Sequence, residues 1–198
     1  MPLLRFKSRR RAVVSLAAVA AVLLAGGVTM AFTAGGGMPA GESYVDGNPA
    51  TVEYKAGYRP LVPGFSGTTV TGAPVSFSAY RGKAVVLNFW GSWCSPCHAE
   101  GPTLATLSAK YSRAGVAFLG VDIQDTPVSA EEFEQEYGIT YPSINDPGGS
   151  IALAIRSAVL ITDPPTTLVI DRTGHLAGVI RGTATYSVLN SMLSEVAS

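Results

Sequence analysis

The chain has 198 residues, 47% of them hydrophobic and 14% charged, with 14 basic and 14 acidic side chains. Five of the bases, Arg5, Lys7, Arg9, Arg10 and Arg11, precede residue 12, and no acid does. The rest of the chain sets the remaining bases against all 14 acids, a net charge of about −5, which argues against a nucleic-acid binder. After the basic patch comes an apolar stretch, Ala12 to Ala34, broken only by Ser15, Gly26-Gly27, Thr29 and Thr33. A basic flank followed by an apolar segment marks export or membrane anchoring. About 23 residues suffice to cross ~30 Å of hydrocarbon as a helix, so an uncleaved anchor is expected. Cleavage at the small-residue site Thr29-Met30-Ala31 is the alternative. Leu24-Ala25-Gly26-Gly27 has the form of a lipobox, but Gly27 stands where the lipidated cysteine would be.

Residues 35–60 read as a tether, punctuated by Gly35-Gly36-Gly37, Pro39, Gly41, Gly47, Asn48-Pro49 and Gly57. Residues 61–198 have the size of one domain. Val70 to Tyr80 suggests a hairpin turning at Thr71-Gly72-Ala73-Pro74. Ala84 to Trp90 reads as a strand covered on both faces. Pro96 to Arg113 reads as a helix, with Leu104, Leu107 and Tyr111 at helical spacing. Val116 to Val121 is a second buried strand. Ser129 with Glu132 three residues later suggests the start of an acidic helix ending near Tyr137-Gly138. A short helix is expected from Gly148/Gly149 to Ile155. Two antiparallel strands, Thr166 to Ile170 and Leu176 to Ile180, flank the turn Asp171-Arg172-Thr173-Gly174. Thr185 to Ala197 is the terminal helix. This order predicts an α/β domain, a mixed central sheet with helices on both faces.

The two cysteines of the chain, Cys94 and Cys97, lie just after the first apolar strand and open the helix that follows. A dithiol at a strand-to-helix junction suits thiol–disulfide exchange. The helix N-terminus favours a thiolate, the attacking species. Three other readings compete. A structural disulfide closing so short a loop would stabilise weakly. A zinc site wants four ligands, and the chain offers only Cys94, Cys97, His98 and His175. A pair of inert buried thiols fits poorly with Pro96 between them. With a single pair outside the cytoplasm, where structural disulfides are common, a catalytic dithiol is the better reading. No nucleotide, flavin or metal motif is present, so no cofactor is expected and electrons should come from another protein.

Asn88-Phe89-Trp90-Gly91-Ser92-Trp93-Cys94-Ser95-Pro96-Cys97, with Glu100 and Pro102, resembles thioredoxin-fold proteins of the TlpA/ResA/DsbE group. Tyr80-Arg81-Gly82-Lys83, Pro165-Thr166-Thr167-Leu168-Val169-Ile170-Asp171 and Gly174 resemble further segments of that family, in the same order, over residues 61–198. The resemblance implies a thioredoxin-like fold with an N-terminal β-hairpin extension and a membrane-targeting segment. It implies Cys94 as nucleophile, Cys97 as the resolving cysteine and Pro96 as a tuner of the dithiol. It implies Pro165 as a cis-proline that brings the backbone of Pro164 beside the dithiol; Pro164 stands where the family more often has a non-proline residue. Trp93 would wall the site. Glu100, one helical turn past Cys97, would exchange protons with it. Asn88 replaces the buried acid of thioredoxins proper. His98 and His175 read as exposed, and Glu131, Glu132, Glu134 and Glu136 as a solvated face. The task implied is reduction of exported thiol proteins such as apocytochrome c, with a membrane electron-transfer partner of CcdA/DsbD type. An oxidant that introduces disulfides, or a non-catalytic binding or chaperone module on the same fold, is the alternative. A peroxidase would need its reactive cysteine in a different setting.

Overall fold

The computed structural model describes Ser43, Tyr44 and residues 50–197. The proposed signal or anchor lies outside these residues. Among the described residues no helix is long and apolar enough to cross a membrane.

The chain runs through β1 (Ser43–Tyr44), β2 (Thr51–Tyr54), β3 (Ser66–Thr68), β4 (Pro74–Ser76), a 3-10 turn (Phe77–Tyr80), β5 (Ala84–Trp90) and α1 (Ser95–Tyr111). It continues with β6 (Val116–Asp122), α2 (Pro127–Tyr137), β7 (Ser143–Asn145), α3 (Ser150–Ala154), β8 (Thr166–Ile170), β9 (Leu176–Arg181) and α4 (Tyr186–Val196). Seven strands form one mixed sheet in the order β1-β2-β9-β8-β5-β6-β7. β5 pairs parallel with β6 and antiparallel with β8, so it is central and buried along its whole length. That burial is why its sequence is a continuous apolar run rather than an alternating one.

Alternation still sorts β5 between two cores. Val85, Leu87 and Phe89 face a cluster containing Ile144, Ile151, Ile155 and Leu168. Ala84 and Val86 face the cluster of Leu104 and Leu107 from α1 and Leu189 and Leu193 from α4. Each such leucine, fully buried, contributes roughly 1.5–3 kcal/mol. A third cluster joins Trp90 at the end of β5 to Cys94, Cys97 and the α2 residues Ala130 and Phe133. The dithiol therefore sits on a small apolar patch at the end of the central strand.

Several boundaries differ from the sequence expectation. Residues 51–54, read there as part of the tether, form β2, which pairs with β9 in the register Val52↔Val179. Arg59 adds ion pairs to Asp171 at 3.2 Å and to Glu195. Glycine and proline spacing signalled a linker, but a strand of four residues has too little periodicity to show against that background. The hairpin expected over 70–80 has its paired strands at 66–68 and 74–76. Residues 77–80 are a 3-10 turn, capped by Ser76 accepting from the Ser78 N–H. α2 starts earlier than expected: Thr126, not Ser129, is its cap, accepting from the Ser129 N–H, with Pro127 in the first turn. The short edge strand β7 was not anticipated.

Candidate redox site

β5 ends at Trp90, and the chain turns through Gly91-Ser92-Trp93 into Cys94, the N-cap of α1. The turn is tight: the Cys94 N–H donates to the Gly91 carbonyl, and the Cys97 and His98 N–H groups donate to the Cys94 carbonyl. Cys94 has an extended backbone (φ −88, ψ 103) and no side-chain cap bond. Its sulfur is thus left to the partial positive end of the helix. Pro96 occupies the first turn, where a missing N–H costs nothing. Cys94 and Cys97 are joined by a disulfide, with Cα atoms 5.3 Å apart. Both are buried, Cys97 (1% exposed) slightly more than Cys94 (4%). The first cysteine is therefore close to the surface but not open.

Pro164–Pro165 is a cis peptide bond. Pro165 immediately precedes β8, whose Thr166 pairs with Phe89 in antiparallel register. It therefore lies at the end of the sheet where β5 leaves for the dithiol. The Pro165 carbonyl accepts from the Gly182 N–H, which binds this segment to the loop after β9. That loop reaches the dithiol helix too, where Thr183 Oγ1 donates to the Pro96 carbonyl at 3.5 Å.

Trp93 is 53% exposed, so it flanks the site rather than sealing it. Its Nε1–H donates to the Ile123 carbonyl, which fixes the ring against the loop after β6.

Glu100 is fully buried, at 0% exposed, not a half-solvated helix acid. It shares the inner face of α1 with Cys97 and Leu104. Its Oε1 accepts from Asn88 Nδ2 at 2.7 Å, and its Oε2 from the Ala184 N–H at 2.8 Å. Asn88 Nδ2 also donates to Thr167 Oγ1 at 3.0 Å. Burial raises the Glu100 pKa to about 7, against the opposing effect of the Ala184 and Asn88 hydrogen bonds. The arrangement is a buried carboxyl one helical turn from Cys97, aimed by residues of β5 and of the loops beside the cis-proline strand. Asn88 is not a silent replacement for an acid; it is the donor that orients one.

Several contributors were missed from sequence. His98 is half-buried, not an open helix histidine: its Nε2–H donates to the Ser92 carbonyl at 2.7 Å, and Nδ1 pairs with the Tyr137 hydroxyl at 2.8 Å. Trp90 stacks on Phe133 with centroids 4.4 Å apart, carrying α2 against the dithiol patch. Gly101 is a close-approach position, since a Cβ there would come within 2.6 Å of the Tyr137 ring. Glu134 is also not on a purely solvated face, because its Oε1 is buried. The side chains of Phe133 and Tyr137 at helical spacing were the available signal, but the acidic residues around them masked it. Among the described residues no cluster of His, Cys, Asp and Glu could hold a metal ion.

A dithiol at a helix N-terminus beside a cis-proline, with a buried acid one turn on, defines a thioredoxin-fold thiol–disulfide exchange site. Comparison with known proteins agrees. The AhpC/TSA family model matches residues 60–179. The thiol–disulfide oxidoreductase ResA of Geobacillus kaustophilus (strain HTA426) is 35% identical over 134 residues, 68% of this chain and 75% of the relative. ResA of Bacillus thuringiensis subsp. konkukian is 32% identical over 146 residues, 74% of this chain and 82% of the relative. Among solved structures, a DsbF homologue from Corynebacterium diphtheriae is 31% identical with a TM-score of 0.70, covering 77% of this chain and 96% of its own. A secreted thiol–disulfide isomerase from Corynebacterium glutamicum is 26% identical with a TM-score of 0.71, covering 78% and 95%. The chain belongs to the AhpC/TSA family and, within it, to the ResA/DsbE-like thioredoxin-fold thiol–disulfide oxidoreductases.

Proposed function

We propose that this oxidoreductase works outside the cytoplasmic membrane, held there by its N-terminal apolar segment, and reduces disulfides of exported proteins such as apocytochrome c. Cys94 is the attacking thiolate and forms the mixed disulfide; Cys97 resolves it, expelling the reduced substrate thiol as the Cys94–Cys97 disulfide forms. Two electrons leave the dithiol, and the two protons go to the substrate thiols. Glu100 accepts the proton that Cys97 gives up and releases it to the departing substrate thiolate, directly or through solvent. A thiol-bearing membrane electron carrier of CcdA/DsbD type then returns the dithiol to its reduced form.

The observation that carries the reading is the buried Glu100 carboxyl, held by Asn88 and Ala184 at a pKa of about 7. A general acid–base works best near the operating pH. No charged residue lies between the cysteines to stabilise the thiolate form strongly, which favours a reductant. The basic flank and apolar run before residue 35 support the exported location, as does the secreted C. glutamicum neighbour.

Redox titration of the protein against glutathione tests the direction. A potential near the thioredoxin value, about −270 mV, supports a reductant, and one near about −120 mV makes this chain an oxidant. In that case His98, held against Ser92 at the base of the dithiol loop, is the residue to replace first. Membrane fractionation with amino-terminal sequencing tests the anchor: a mature start near Phe32 means a cleaved signal.

A further inference from the structure

On the β6 side of the dithiol lies a second buried acid that the exchange reaction as described does not use. Asp122 ends β6, directly opposite Trp90 of β5 and Asn145 of β7. It is 0% exposed, and among the described residues no N–H or hydroxyl donates to either carboxylate oxygen; beside it lies the Asp125 carboxyl, with which it can share a hydrogen bond only when one of the two is protonated. Glu134 Oε1 from α2, Ser143 Oγ and Asn145 Oδ1 are buried there too, and the only hydrogen bond within this group is the one Ser143 offers Glu134. Apart from the serine hydroxyl, which serves Glu134, these atoms can only accept, so the cluster is short of donors for Asp122. A proton on a carboxyl supplies one, since the protonated form carries an O–H. A buried carboxylate left unpaired is costly enough that the group takes up a proton instead.

The residues after Asp122 strap the dithiol loop. The Ile123 N–H donates to the Trp90 carbonyl, and the Ile123 carbonyl accepts from Trp93 Nε1. Asp125 Oδ2 accepts from the Ser92 N–H at 2.6 Å, and its Oδ1 from the Thr126 N–H. Between them Gln124 is held at φ 53, a left-handed conformation uncommon outside glycine. Thus the orphaned acid stands at the root of a strap that grips residues 92 and 93, next to the reactive Cys94.

We propose that Asp122 is a positioning residue for the dithiol loop: protonated, it lets Asp125 hold Ser92, and ionised, it repels Asp125 and loosens that hold. This rests on the thiol–disulfide exchange reading and adds to it a second buried acid, distinct from Glu100, that gates the loop. Burial, then the negative charges of Asp125 and Glu134 and the hydrogen bond that protonated Asp122 shares with Asp125, place the Asp122 pKa at about 7, so the change falls near neutrality. The other ionisable groups around it do not offset this. Glu134 is itself pushed up, chiefly by burial, against a hydrogen bond from Ser143 and with a smaller push from Glu131. The Asp146 carboxylate is engaged in capping α3 through Ser150 and Ile151. Tyr141 stays protonated, raised by burial and by Glu100 and Glu134. His98 and Tyr137 are bonded to one another.

The Ser92 amide reports the strap directly. Its hydrogen-exchange protection is measured by NMR in the oxidised full chain, where no thiol titrates, and corrected for the intrinsic pH dependence of exchange. Protection should fall roughly tenfold between pH 6 and pH 8, the equivalent of one pKa unit of coupling. Asp122→Asn should make protection independent of pH, whereas Glu100→Gln should leave the dependence in place. Glu134→Gln, by removing a like charge, should move the midpoint to lower pH. Flat protection in the parent, or an unchanged pH dependence in Asp122→Asn, overturns the proposal. If Asp122→Asn does not fold, an unmoved midpoint in Glu134→Gln overturns it instead. Cys94-dependent disulfide reduction by the parent chain, which none of these amide readouts uses, tests the exchange reading separately.

Discussion

The two sides of the dithiol each carry a buried carboxyl with a pKa of about 7, reached by opposite routes. Toward β8, Glu100 has a donor for each oxygen, and those bonds pull its pKa down against burial. Toward β6, Asp122 accepts from no donor among the described residues, and neighbouring acids push its pKa further up. A satisfied buried acid keeps one geometry whether or not it carries its proton, which suits proton exchange with a fixed sulfur. An unsatisfied one changes its surroundings when it ionises, which suits control of a loop. The same end of one sheet thus holds two acids that burial alone would not distinguish; the donors around them do.

The largest effect comes from the group both sides serve. Cys94→Ser should abolish reduction of a protein disulfide such as that of insulin. Cys97→Ser should retain attack and accumulate mixed disulfides, visible on non-reducing gels. Adducts formed in Cys94→Ser but not in Cys97→Ser would reverse the assignment.

Next is stability against pH. A carboxyl whose folded pKa lies above its unfolded value leaves the folded state holding more protons between the two. Its contribution is complete below about pH 4.5 and is lost as pH rises through about 7. From that shift, Glu100 should withdraw up to about 3 kcal/mol over the window. Urea unfolding of the oxidised protein at pH 4.5 and pH 8 should show the loss, and Glu100→Gln should shrink it by that share. Asp122→Asn should shrink it separately, and non-additivity of the two would mean that the acids are one coupled site.

Asn88→Ala would make the two sides alike by removing a donor from Glu100. The acceptor left unpaired should cost roughly 1–3 kcal/mol, more at pH 8 than at pH 5, because the ionised form loses most. A cost independent of pH would show that Asn88 only fills space. Trp93→Phe is the mildest change. It removes the Nε1–H bond to Ile123 and keeps the ring, so about 0.5–1.5 kcal/mol should be lost in urea unfolding. Ser92 amide protection should drop while Glu100 titrates as before. A shift in the Glu100 midpoint would mean that the two sides are not independent.

How far each element was legible follows from the range of the forces involved. β5, α1 and the β8–β9 pair announce themselves through local patterns: a continuous apolar run, helical spacing of Leu104 and Leu107, and a turn at Asp171–Gly174. The dithiol is equally local, since two cysteines three positions apart meet wherever a helix begins. β2 was hidden, because four residues in a glycine-rich segment acquire strand geometry only from the edge of β9. The acidic helix α2 read as solvated, although Phe133 stacks on Trp90 and Glu134 turns a buried oxygen inward.

Sequence alone therefore determined the chemistry of this protein: a Cys94-Ser95-Pro96-Cys97 dithiol at a strand-to-helix junction, with a carboxyl one turn on. Spacing along one strand and one helix fixes those relations. Only the tertiary structure decided which acids are buried and what each is bonded to. Asn88, Thr167 and Ala184 reach the same network from distant points in the chain. Asp122 meets Glu134 and Asn145 only once β6, β7 and α2 are assembled. Desolvation and hydrogen bonding act through space, so a carboxyl's pKa is a property of the folded surroundings and not of its place in the chain.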